Sequence, residues 1–106
     1  MAETFKRLVK DGKTAIVISP GYGAGWYTWN TESPGLALDG DIAQAVIDGD
    51  REKAVRIAHE RYGDFYDGGS QGLRVEWVDQ GKAFEITEYD GYEGLREIEL
   101  GDFMVA

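Results

Sequence analysis

The chain has 106 residues, 42% of them hydrophobic and 29% charged, which fits one folded domain with one core and excludes disorder as its general state. It has no cysteine, so disulfides, thiolate metal sites and thiol catalysis are excluded together, and a reducing cytosol is expected. Twenty acidic residues against eleven basic ones give a net charge of −9, which argues against direct binding to a nucleic-acid backbone and for a basic protein partner.

The charge is uneven. Residues 1–13 hold Lys6, Arg7, Lys10 and Lys13 against Glu3 and Asp11, while the remainder holds seven basic residues against eighteen acidic ones. The plain account of the excess is that it keeps a small protein in solution. No apolar run approaches the roughly 20 residues of a membrane-spanning helix, and Met1 to Arg7 lack the apolar stretch of a signal peptide. No membrane association is expected.

Residues 5–9 read as a short strand, turned by Asp11 and Gly12 into residues 14–19, which are apolar on both faces and β-branched like a central strand. Pro20 ends it, since a central strand needs the N–H that proline lacks. Residues 20–40 read as a long loop, a length that is usually functional in so small a domain. Asp41 is placed to start a helix with Ile42, Ala45 and Val46 on one side. Asp48-Gly49-Asp50 interrupts it, and Asp50 caps a second helix with Ala54, Val55, Ala58 and Tyr62 on one face, ended by Gly63.

After a polar, glycine-rich stretch, residues 73–77, 84–89 and 95–100 alternate as strands, separated by turns at 79–81 and 90–94, and residues 103–105 add a further short one. Segregated helices and strands predict a single α+β domain over 1–106: a mostly antiparallel sheet of four to six strands with two helices, at about 41–62, on one face. Val17, Ile18, Val75, Trp77, Phe84 and Ile86 are the expected core.

The most conspicuous segment is the loop Gly21, Tyr22, Gly23, Ala24, Gly25, Trp26, Tyr27, Thr28, Trp29, Asn30. Glycines after a central strand can bring a phosphate to backbone N–H groups. The spacing is not that of a dinucleotide fingerprint or a P-loop. Trp26 and Trp29 either offer stacking faces or fold back to close one end of the core. Glu88 is the second candidate, because strict alternation puts it on the face of Phe84 and Ile86, and Tyr89, Asp90, Tyr92 and Glu93 surround it with acids and aromatics.

Catalysis has little support. His59 is the single histidine and sits mid-helix, and no spacing links Ser19 to a triad. The pairs Asp39/Asp41 and Asp48/Asp50 lack the spacing of a calcium loop and read as helix caps. The chain is expected not to be an enzyme and to need no cofactor or metal.

Residues 16–30, from Ile16 through the Gly-aromatic loop to Asn30, together with residues 73–77 and 84–93, resemble a small protein family of bacteriophages and mobile elements. They cover about a third of the chain. That family has no well-established activity, so the resemblance implies a phage accessory protein in the host cytoplasm, and no catalytic role. Such proteins often counter host defence. Two mechanisms follow. The loop and the 88–93 cluster could sequester a nucleotide-derived immune signal, with Arg74, Lys13 or a partner chain neutralising the phosphates, so that an oligomer is expected. Alternatively, the acidic surface could occupy the nucleic-acid groove of a defence nuclease. The unusual loop puts the first ahead.

Overall fold

In the computed structural model, which describes residues 5–21, 25–89, 91–97 and 104–106, the chain opens with a tight hairpin. β1 (Val9–Lys10) and β2 (Lys13–Ile18) pair antiparallel through Asp11 and Gly12, whose φ values of 52° and 76° are the left-handed pair that a two-residue hairpin turn requires. The strand expected at 5–9 is thus confined to its last residue and the next, Val9 and Lys10.

The loop expected at residues 20–40 contains a short helix, α1 (Gly35–Leu38). α2 (Gly40–Ile47) is capped by Asp39, not Asp41: the Asp39 carboxylate accepts from the Asp41 N–H. Gly49, at φ 75°, ends it, with the Gly49 N–H donating to Val46 O and the Asp50 N–H to Ala45 O. Asp50 then caps α3 (Arg51–Tyr62) by accepting from the Lys53 N–H, and Gly63 stops α3 at φ 75°. The buried Asp39 carboxylate also accepts from Arg61 Nη1 at 2.9 and 2.8 Å and from the Tyr62 hydroxyl at 2.7 Å, which binds α2 to α3. These bonds raise Arg61 above its ordinary value, and burial followed by Asp39 raises Tyr62.

A 3-10 turn at Gly68–Gly72 leads to β3 (Arg74–Asp79), β4 (Ala83–Tyr89), β5 (Tyr92–Glu97) and β6 (Met104–Val105). Among the described residues the strands form two three-stranded antiparallel sheets, ordered β1-β2-β3 and β5-β4-β6. The single sheet drawn from the sequence is divided at residues 80–82. There the Gln80 N–H donates to Gly12 O in the first sheet, and the Ala106 N–H donates to Lys82 O in the second. The molecule is one α+β domain, with a Cα radius of gyration of 12.6 Å, near the ~13 Å expected for its length.

β2 lies at the centre because both its faces are apolar. Ala15 and Val17, opposite Trp77 and Val75, pack with Trp26, Leu36, Ile42, Ala54 and Ala58 under α2 and α3. Ile16 and Ile18 face the other way and pack with Leu38, Val78 and Phe84 against the second sheet. Burying each large aliphatic contributes about 1.5–3 kcal/mol. Of the expected core, Val17, Ile18 and Phe84 are buried and Val75 and Ile86 partly so. Trp77 is 37% exposed, because β3 is the edge of its sheet.

Candidate functional site

The site grows from the end of β2. Ser19 follows the last paired residue, and its side chain and backbone are buried. Its N–H donates to Glu93 Oε1 at 2.9 Å, and its carbonyl accepts from the Glu93 N–H at 3.0 Å. The other oxygen, Glu93 Oε2, accepts from the Tyr27 N–H at 2.9 Å, the Thr28 N–H at 2.7 Å and the Thr28 hydroxyl at 2.8 Å. Glu93 is fully buried, and four donors meet its two oxygens, which offsets the cost of taking a carboxylate out of water. Burial, then the charge of Glu93, raises the Tyr27 phenol above its ordinary value.

Gly25 is the residue that lets the loop close on this carboxylate. A Cβ there would lie 2.1 Å from Thr28 Oγ1, 2.9 Å from Trp29 Cδ1 and 3.3 Å from Glu93 Oε2. The same distances put the edge of the Trp29 indole beside the clamp.

The two loop tryptophans part company. Trp26 is fully buried: its N–H donates to Ser19 Oγ, its indole donates to Leu36 O at 2.7 Å, and Phe65 meets it edge-on at 5.3 Å. Trp26 therefore closes the core and offers no stacking face. Trp29 is 46% exposed and stacks on Tyr66, with centroids 5.7 Å apart and planes 18° from parallel. Asn30 is buried and holds this pair in place. Its amide donates to Trp26 O and to Tyr66 O, both at 2.9 Å, and its Oδ1 accepts from the Tyr66 N–H.

Glu88 and Glu93 are opposite each other in the β4–β5 ladder, and Tyr89 is opposite Tyr92. β5 begins at Tyr92, so Glu93 belongs to a strand and not to the turn expected at 90–94. Glu88 is exposed, and its Oε2 accepts from the Gly91 N–H at 2.7 Å, closing the hairpin. Tyr89 and Tyr92 are exposed at the hairpin tip. Gly21 is exposed at the start of the loop, and Tyr22, Gly23 and Asp90 lie outside the described residues.

Sequence reasoning thus named Gly25, Trp29, Asn30 and Glu93 and included Tyr27 and Thr28 in the candidate loop without their role as donors to the carboxylate; it missed Ser19, which also binds the carboxylate, and Tyr66, which stacks on Trp29. No local signal marks Tyr66, since its partners stand 36 positions away at Asn30.

Beside the clamp, an open cleft of about 470 Å³ runs between β3 and β5, lined by Ile18, Arg74, Glu76, Trp77, Tyr92 and Gly94 among others. Arg74 is paired with Glu76 at 2.6 Å, and Lys13 lies 3.9 Å from Asp79, so the two cations expected to meet a phosphate face local acids. No group of three His, Cys, Asp or Glu residues is placed to hold a metal among the described residues. No helix among them is long and apolar enough to cross a membrane.

Fold and site define a small α+β domain whose Gly-aromatic loop is pinned by an internal carboxylate and which carries exposed aromatics around that pin. The chain matches no protein-family model, and no curated protein and no solved structure shows significant similarity to it.

Proposed function

We propose that this chain is a phage-type accessory protein of the host cytoplasm that works by binding and not by catalysis, and that it blocks a basic, nucleic-acid-handling defence protein by direct contact. The observation that carries this reading is the occupancy of the loop donors. The Tyr27 and Thr28 amides already serve Glu93, and the Gly21 N–H serves the Ser19 carbonyl. What the loop leaves outside is aromatic: Trp29 with Tyr66, and Tyr92 with Tyr89 beyond the clamp. Exposed aromatic residues of this kind anchor protein interfaces. The surrounding charge is negative, with Glu32, Asp64 and Glu88 exposed, and this suits a groove built for nucleic acid. The resemblance of residues 16–30, 73–77 and 84–93 to small phage proteins supplies the setting.

Native mass spectrometry of the protein recovered from defence-active cells tests this. A co-purifying basic protein, released as salt is raised and displaced by DNA, is the expected result. A retained nucleotide with no protein partner would overturn it in favour of the second reading, sequestration of a nucleotide-derived signal. That reading keeps the Trp29–Tyr66 stack as its supporting observation.

A further inference from the structure

The segment from Gly63 to Asp67 joins α3 to the 3-10 turn and carries Tyr66, half of the exposed aromatic pair. It is held from two sides. On one side Asn30 bonds Tyr66 through both its N–H and its carbonyl. On the other side stands His59. Its Nε2 lies 2.9 Å from Asp67 Oδ2, its Nδ1 lies 3.0 Å from Gly63 O, and its ring stacks on Phe65 with centroids 4.4 Å apart.

Both ring nitrogens therefore face acceptors. Only the imidazolium can donate to a carbonyl and a carboxylate at once; the neutral ring has one N–H and must turn a lone pair on one of them. We propose that His59 is a proton-operated latch, which in its protonated form fastens the 63–67 segment and with it the Tyr66–Trp29 stack, and on losing its proton loosens both. The charged groups that face the ring are Asp67, bonded to it, and Asp64. Both favour the proton, and no cation opposes them among the groups acting on the ring. The Asp67 bond first, then the Gly63 bond, hold His59 above its ordinary value, so the latch is engaged at mildly acidic pH and released as pH rises.

The consequence for the face that carries Trp29 rests on the binding function proposed above, but the latch itself is a property of the free chain and is tested there. Because His59 is the single histidine, its ring resonances are unambiguous in a pH titration followed by NMR. Over the same titration, hydrogen exchange at the Tyr66 amide, corrected for the intrinsic pH dependence, reports the segment. The expected result is one shared midpoint, with exchange about two- to tenfold faster above it, the scale of one lost hydrogen bond.

His59→Gln, which retains one donor and cannot titrate, should abolish the step, and Asp67→Asn should lower the midpoint. Exchange at Tyr66 that is flat across the His59 titration, or a step that survives in His59→Gln, overturns the latch. If His59→Gln does not fold, the Asp67→Asn shift decides: an unmoved midpoint overturns the proposal. Either failure leaves the partner reading standing, because that reading is judged on what co-purifies with the protein from defence-active cells.

Discussion

Ser19 and Glu93 stand 74 positions apart and are joined twice, amide to carboxylate at 2.9 Å and carbonyl to amide at 3.0 Å. The bond pair links the end of the central strand to the start of β5, and so couples the two sheets at the point where the Gly-aromatic loop departs.

Replacing Glu93 should therefore cost more than an ordinary strand substitution. Glu93→Gln keeps the shape but turns an NH2 donor towards N–H groups that need an acceptor. A loss of about 2–4 kcal/mol is expected, the scale of a buried charge-assisted bond removed with its donors left unmet. Urea unfolding measures it, as a fall in midpoint at constant slope.

Gly25→Ala acts on the same clamp through space. The added methyl would press on Thr28 Oγ1 and the Trp29 ring, so a loss of about 1–3 kcal/mol is expected from overpacking. Combined with Glu93→Gln, the two losses should be less than additive, since both release the same loop.

The tryptophans should separate stability from binding. Trp26→Ala removes a buried ring and its bond to Leu36, and is expected to cost about 3–5 kcal/mol. Trp29→Ala loses one exposed stack, about 1 kcal/mol, while weakening partner binding strongly. Thermal unfolding and a binding assay on the two variants check this. Equal destabilisation by both would show that the exposed pair belongs to the core.

Thr14 is fully buried in β2, and its hydroxyl finds no hydrogen-bond partner among the described residues. Thr14→Val replaces it with a methyl of similar shape. Stability is expected to rise by about 1 kcal/mol, because an unmet hydroxyl is costly to bury. A rise in melting temperature checks it.

Stability should also depend on pH through His59. Its value in the folded state is raised, and unfolded it returns to about 6.5. The folded chain thus binds the proton more tightly, and the contribution is fully present below about pH 6.5 and lost as pH rises through the folded value. His59→Gln should flatten this part of the pH–stability curve above pH 6. An unchanged slope would assign it to other groups.

What the sequence determines is what short-range physics controls. Asp11-Gly12 needs two left-handed residues and makes the hairpin; Gly49, Asp50 and Gly63 stop and start helices; the doubly apolar run of β2 has to lie at the centre. Each of these depends on neighbours within a few positions.

Tertiary structure alone decided the rest. Nothing in the run Tyr92-Glu93-Gly94 says that Glu93 is buried while Glu88, opposite it, is exposed. Burying a carboxylate is unfavourable until a set of donors is assembled for it, and these come from Ser19, Tyr27 and Thr28, 65 to 74 positions away. The split between Trp26 and Trp29 has the same origin. Once the clamp and Ser19 set the course of the loop, one indole points at Leu36 and Phe65 and the other at the surface. The division into two sheets likewise rests on the bonds of residues 80–82 to Gly12 and Ala106, which no pattern in β3 or β4 encodes.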